Sequence, residues 1–304
     1  MVDPFNEVRL LNIGIVGPGA IGMLFGYYLA EAGHNITFYM RRKNVNELTI
    51  QKLDGSRERL NCHIAYEIEE LKQMDLVIIA VKYHHLSSIK KGLDQLPEDL
   101  PLLFIQNGLM HLTYIESLKQ RTIILGSVLH GAAKEDAATV HHTGVGTTTI
   151  GLYRGSWQLL DDLLQSQSEY FPLQQSSEME QILFKKALLN CLINPLTAIA
   201  GVPNGALITN PSYHTIMKNI YCELIQAFPE WKEKLAFQEV EELCKNTAQN
   251  RSSMLKDLEN GRFMEVETIV GAVLQRAAVR EKQLPILHTF YLLLTERNVG
   301  DSYN

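Results

Sequence analysis

Residues 10–44 read LLNIGIVGPGAIGMLFGYYLAEAGHNITFYMRRKN, and three signals follow one another in a fixed order. Leu10 to Val16 is an apolar run of strand length, and Gly17-Pro18-Gly19-Ala20-Ile21-Gly22 matches G-x-G-x-x-G. A helical pattern then runs from Ala20 to Ala32 and stops at Gly33, a residue type suited to the position just past a helix end. Asn35 to Met40 is a second strand. A glycine motif by itself is weak evidence. With a strand before it, a helix behind it and a second strand at the right distance, it reads as a dinucleotide-binding turn. Gly17 permits the tight turn, Gly19 lets the backbone approach a pyrophosphate, and Gly22 lets the helix pack on the strand. The phosphates then sit on the amides that open the helix, those of Ala20 and Ile21 among them.

The end of the second strand selects the cofactor. An NAD site places an acid there for the ribose 2′-hydroxyl. Here the chain reads Tyr39-Met40-Arg41-Arg42-Lys43, with no acid until Glu47. A cationic turn suits a 2′-phosphate, and an arginine meets it with paired hydrogen bonds. NADPH is therefore expected, held by Arg41 and Arg42. Lys82 ends the apolar strand DLVIIAV, and ligands of open α/β sheets bind beyond strand C-termini. By default it is a lysine whose stem lies along apolar surface.

Strand and helix patterns alternate through the first half. Asp75 to Val81 and Leu102 to Ile105 read as buried strands, with a helix from Leu86 to Leu96 between them. Residues 122–151 supply three strand-like segments, TIILGSVLHGA, ATVHHTG and GTTTIGLY. From Ser177 the pattern is helical almost to the end, broken at Gly201-Val202-Pro203, Asn210-Pro211, Pro229, Asn260-Gly261 and Pro285. The fold class is thus α/β: a Rossmann-type dinucleotide-binding domain over residues 1–175, then an all-α domain over 176–304.

With 304 residues, 46% hydrophobic and 20% charged, the composition is that of a globular enzyme of about two domains. A net charge of −6 argues against nucleic acid as a partner. No apolar run is expected to reach membrane-spanning length, and MVDPFNEVRLLN lacks a basic-then-apolar leader pattern. The four cysteines, Cys62, Cys191, Cys222 and Cys244, have neither zinc nor disulfide-framework spacing. The adjacent pairs His84-His85 and His141-His142 point apart and do not suggest a chelate. A cytoplasmic protein with reduced thiols and no bound metal is expected. The oligomeric state stays open, a homodimer among the options.

Residues 184–205, FKKALLNCLINPLTAIAGVPNG, carry the chemistry. On this mostly apolar helix Lys186, Asn190 and Asn194 recur at i, i+4 and i+8, forming one slowly drifting polar stripe. Buried unpaired, such groups cost several kcal/mol, so they face water, one another or a ligand. Pro195 removes an amide hydrogen and disfavours helical geometry at Asn194, so a kink is expected there. A lysine beside two carboxamides suits proton donation to a carbonyl. An amphipathic helix with a solvated edge explains the same stripe without chemistry.

Together these blocks resemble the ketopantoate reductase (2-dehydropantoate 2-reductase) family, within the 6-phosphogluconate-dehydrogenase-like group. The resemblance rests on GPGAIG at 17–22, AVK at 80–82, QNG at 106–108, KKALLNCLINPLTA at 185–198, PNG at 203–205, NRSSMLKDL at 250–258 and MEVETIVG at 264–271. It implies NADPH-dependent reduction of ketopantoate to (R)-pantoate, a step of pantothenate and coenzyme A biosynthesis. Lys186 matches the family's proton-donating lysine, and Glu265 the acid at the reaction centre. Ser253 matches the serine that receives the substrate carboxylate. Asn190, Asn194 and Asn250 match amides that orient substrate, and Asn107 one at the cofactor–substrate junction. Gly17 to Gly22, Arg41 and Lys82 match cofactor contacts. Val270 stands where the family often has an amide.

Reduction of a 2-keto acid needs a hydride source, a proton donor to the developing alkoxide and a grip on the carboxylate. Burial lowers the pKa of Lys186 and Glu265 raises it, and the sequence leaves the net sign open. Alone, Glu265 reads as an acid at a helix start, and Ser253 as a buried or capping hydroxyl. The cofactor groups lie in the first half and the remaining candidates in the second, so an inter-domain cleft is the expected active site. Two rivals stand beside this reading: an NADP-dependent reductase of another small 2-keto acid or imine, and a non-catalytic NADPH sensor. The sensor has no use for Lys186, Glu265 and Ser253 together.

Overall fold

The strands with the most β-branched and leucine side chains occupy the middle of the first unit. The computed structural model describes residues 9–41 and 47–300. The chain divides into two compact units, Met1–Gln106 with Tyr114–Met179, and Asn107–Thr113 with Glu180–Asn304. In the first, eight strands form a sheet in the order Leu173–Gln175, Thr148–Arg154, Ile123–Val128, Leu102–Phe104, Leu76–Ile79, Asn12–Val16, Asn35–Tyr39 and His63–Ala65. All neighbours are parallel except Thr148–Arg154 against Ile123–Val128. Ile13, Ile15, Ile78, Leu102 and Phe104 are fully buried, as expected of parallel strands covered on both faces.

Helix Ala20–Glu31 follows the first strand and ends as its sequence requires. The Gly33 amide donates to Ala30 and the His34 amide to Leu29, with Gly33 at φ 96°. These are the paired bonds of a Schellman stop, which a glycine adopts without a Cβ penalty. Against this helix packs a second sheet, ordered Arg57–Arg59, Thr49–Gln51, Thr139–Gly144 and Gly131–Lys134. Residues 122–154 contribute four strands rather than three, and of three short strands between residues 49 and 65 two join the second sheet and His63–Ala65 edges the first.

The second unit is helical. Its longest helix, Met179–Ala200, runs through Pro195, and Leu188, Cys191, Leu192 and Thr197 are fully buried. This helix is long and apolar enough to cross a membrane by length and composition, with a mean hydropathy of 1.4, which corrects the expectation that no segment reaches that length. Two thirds of that stretch is buried inside the protein, the behaviour of a core helix. The break at Asn210-Pro211 is a helix start. The Asn210 side chain accepts from the amides of Ser212 and Tyr213, and Pro211 occupies the first helical position.

Gly22 shows how tightly the first unit is drawn together. A Cβ built there would lie 2.2 Å from the Gly17 carbonyl oxygen and 3.0 Å from the Ala80 Cβ. Gly22→Ala should therefore cost about 1–3 kcal/mol, as overpacking does. That corresponds to a fall in Tm of roughly 2–4 °C per kcal/mol. Gly144→Ala, whose added Cβ meets nothing within 4 Å, is the control in the same thermal melt. Equal Tm values for both variants would contradict the close approach.

Candidate active site

Among the described residues no side chain caps the helix start that the glycine loop presents. Gly19 is the N-cap of Ala20–Glu31, no side chain caps the helix, and its first turn holds no acid. The opening amides are thus available to an anion rather than to a carboxylate of the protein. A Cβ at Gly17 would lie 2.6 Å from Val81 Cγ1, whereas one at Gly19 would meet only the Ala80 carbonyl, at 3.9 Å. The first glycine is needed for packing; the second leaves open space over the loop, which could admit a pyrophosphate. Pro18 lies in the turn and Ile21 in the first turn of the helix. Pro18 also offers its carbonyl to Lys134 Nζ at 3.0 Å, and the same ammonium donates to Ala137 at 2.8 Å. Burial lowers the pKa of Lys134. This cation, 116 residues from the loop, was invisible to motif reading.

A second cationic locus lies at the strand ends. Arg41 Nη1 donates to Ser88 Oγ at 3.1 Å, and that hydroxyl donates to the His85 carbonyl at 2.7 Å. The pKa of His85 is lowered, first by burial and then by the neighbouring charges of Arg41 and Lys82. The three side chains therefore share one neighbourhood. These are residues that could hold a 2′-phosphate, and sequence reading did not single out Ser88 and His85 beside them. Arg42 lies outside the described residues. Gln106 fixes the adjoining backbone, donating to Ile79 at 2.7 Å and to Val81 at 3.0 Å.

The remaining candidates belong to the helical unit. Lys186 and Asn190 are half-buried on helix Met179–Ala200, and Asn194, two turns beyond Lys186, is buried. Although part of the Lys186 side chain is open, its ammonium stands in dense surroundings. Burial lowers its pKa to about 8, and the Glu265 carboxylate opposes that shift. Desolvation outweighs the carboxylate, so the net shift is downward. Glu265 is half-buried and immediately precedes the helix that begins at Val266. It accepts from Asn107 Nδ2 at 3.3 Å. Asn107 sits in the short segment that belongs to this unit. There the Leu109 amide donates to the Thr268 carbonyl at 2.9 Å, and Gly108 adopts φ 78°. Val270 is fully buried in the same helix.

Two adjacent serines divide the work at 250–253. Ser252 is buried, accepts from the Leu255 amide at 3.1 Å and lies 2.8 Å from the Thr197 hydroxyl. It is the cap of helix Ser253–Glu259. Ser253 is the first helical residue and is exposed, so the capping duty considered for it belongs to its neighbour. Asn250 is exposed, and its carbonyl accepts from the Asn204 amide at 2.9 Å, which ties the PNG turn to this segment. Among the described residues no group of three or more His, Cys, Asp or Glu stands where it could hold a metal ion.

Comparison with known proteins gives one answer for both halves of the chain. Residues 13–155 match the family described as Ketopantoate reductase PanE/ApbA. Residues 178–298 match Ketopantoate reductase PanE/ApbA C terminal. The chain is similar to the 2-dehydropantoate 2-reductase of Listeria innocua, 37% identical over 294 residues that cover 93% of this chain and 96% of the relative. It also resembles a solved structure from Bacillus subtilis described as a probable 2-dehydropantoate 2-reductase. There the TM-score is 0.84 and the identity 30%, over 94% of this chain and 100% of that one. D-mandelate dehydrogenase with NADH and anilino(oxo)acetate shares the fold, with TM-score 0.82 and 22% identity over 96% and 99% of the two chains.

The Arg41 locus yields a test. Arg41→Ala should weaken NADPH on the order of tenfold, because a hydrogen bond to a charged group contributes roughly 1.5–3 kcal/mol and this side chain is exposed to screening water. NADH, which lacks the 2′-phosphate, should bind as before. Titration of the nicotinamide fluorescence with each cofactor reads both constants, and equal weakening would remove Arg41 from phosphate recognition.

Proposed function

The chain belongs to the ketopantoate reductase family, and from that premise we infer its activity: NADPH-dependent reduction of 2-dehydropantoate (ketopantoate) to (R)-pantoate, on the route to pantothenate and coenzyme A. The observation that carries the site assignment is the Lys186 ammonium, drawn by burial to a pKa of about 8 in the field of Glu265. Such an ammonium is still mostly protonated at neutral pH, and it is a far better acid than a solvated lysine. NADPH, when bound, supplies the hydride to the keto carbon.

The protein residues supply the rest. We assign Lys186 as the donor of the proton that the carbonyl oxygen takes up as charge develops on it. Glu265 holds Lys186 in its charged form and accepts from the substrate hydroxyl, while the Asn107 amide keeps its carboxylate in place. Asn190 and Asn194 continue the Lys186 stripe and orient the polar end of the substrate. Ser253, exposed at the first turn of its helix, receives the carboxylate, with Asn250 beside it. The uncapped amides after Gly19 hold the cofactor pyrophosphate. Arg41, with Lys82 near it, holds the 2′-phosphate. The cytoplasm is the compartment that suits this chemistry and the four free thiols. A homodimer is the assembly we propose, and light scattering on the purified protein decides it.

Mixing the enzyme with ketopantoate and NADPH and following nicotinamide absorbance tests the assignment directly. Oxidation of NADPH independent of ketopantoate, or none at all, would overturn it. Lys186→Ala should lower turnover by roughly 10²–10⁴-fold, the usual span of general acid catalysis, and leave NADPH affinity unchanged. The pH dependence has a definite sign. The proton donor is lost as pH rises through the folded pKa, so kcat/KM should decline above about pH 8. An unperturbed lysine would carry activity up to pH 10 or so. A flat profile between pH 7 and pH 10 would show that Lys186 is not the titrating donor.

A further inference from the structure

Glu265 lies between two contacts made by one helix. On its N-terminal side, buried Asn298 brackets the backbone of Met264. The Asn298 Oδ1 accepts from the Met264 amide at 3.0 Å, and its Nδ2 donates to the Met264 carbonyl at 3.1 Å. On its C-terminal side, the Tyr291 hydroxyl donates to Glu267 Oε2 at 2.6 Å. Tyr291 and Asn298 both belong to helix Pro285–Gly300. Seven residues apart, they stand on one face of it, two turns from one another.

The backbone between these contacts is irregular in a way that needs holding. Residues Glu267–Gly271 form a π-helical turn, and the Ala272 amide donates to Glu267. In an α-helix that amide would go to Thr268. The Thr268 carbonyl instead accepts from the Leu109 amide at 2.9 Å, next to Asn107, the residue that donates to Glu265. Such turns are rare and occur often at functional sites. The Glu267 carboxylate closes over this one: a Cβ on Gly271 would lie 2.9 Å from it. Gln275 Nε2 reaches its other oxygen at 3.4 Å.

We propose that Tyr291 and Asn298 are positioning residues that hold Glu265, and through the π-helical turn Asn107, in register with Lys186. Neither touches the reacting atoms. Asn298 fixes the residue before Glu265 and Tyr291 fixes the turn after it, so the backbone that carries the carboxylate is held on both sides. The inference rests on the assignment of Lys186 and Glu265 made above. Tyr291, Glu267, Lys282 and His288 also line an open cavity of about 570 Å³. Removing the Tyr291 hydroxyl therefore leaves Glu267 within reach of water rather than buried and unpaired, and Tyr291→Phe should fold.

The alkaline limb of kcat/KM reports the arrangement, because Glu265 supports the charged form of Lys186. Glu265→Gln sets the reference and should move that limb to lower pH. Tyr291→Phe and Asn298→Leu should each move it in the same direction by part of that amount, and lower kcat roughly two- to tenfold, the span expected for one hydrogen bond. NADPH affinity should stay within about twofold. Tyr291→Phe added to Glu265→Gln should shift the limb no further, as for residues acting through one group. A general loss of stability would scale kcat without moving the limb, so the readout separates positioning from folding. If Glu265→Gln moves the limb while both other variants leave it in place, the positioning role is overturned alone. If Glu265→Gln itself leaves it in place, the pairing with Lys186 fails and this inference falls with it.

Discussion

The catalysis proposed for the helical unit depends on an ammonium that is partly stripped of water. Burial makes the charged form of Lys186 costly, and Glu265 returns part of that cost. Neither influence alone gives a useful donor. With the carboxylate dominant the group would keep its proton more tightly, and with burial unopposed it would give it up at lower pH. The value near 8 comes from the balance, so the position of Glu265 is a chemical variable as well as a structural one. This explains why so much hydrogen bonding converges on the few residues around it. Asn107 holds the carboxylate, Asn298 the preceding residue and Tyr291 the turn that follows.

In the first unit the corresponding constraint is backbone proximity. Gly17 and Gly22 have no room for a Cβ, and that lack of room brings the helix start to the sheet edge. The anion affinity proposed for the loop comes from leaving things out: no capping side chain on Gly19 and no acid in the first turn. The cations are placed by other means. Arg41 is steered by the Ser88 hydroxyl, whose own proton is committed to the His85 carbonyl, so its lone pairs face the guanidinium. Lys134 is fixed by two carbonyls, one of them in the loop itself.

Local order was legible in the sequence and long-range order was not. The strand, turn and helix from Asn12 to Glu31 are encoded by residues that touch near neighbours, and the polar stripe on Met179–Ala200 follows from helical spacing. Short strands were missed. Arg57–Arg59 reads Arg-Glu-Arg and has no apolar alternation to betray it, because it pairs through its backbone at a sheet edge. The π-helical turn was equally hidden, since Glu267–Gly271 keeps an ordinary helical composition. Contacts such as Asn107 with Glu265, 158 residues apart, have no signature in any window of sequence. The family resemblance could name both residues without showing that they meet.

The serine pair at 252 and 253 shows where residue identity stops being informative. Both are small, both carry one hydroxyl, and either could open a helix. Burial separates them. Ser252 faces Thr197 and the Leu255 amide, so its hydrogen bonds are spent on the fold. Ser253, one position on, is turned about 100° around the helix axis, which carries its hydroxyl out to the exposed side. The cap is thus what leaves the neighbouring residue exposed: it fixes where the helix begins, and with it the side on which Ser253 lies.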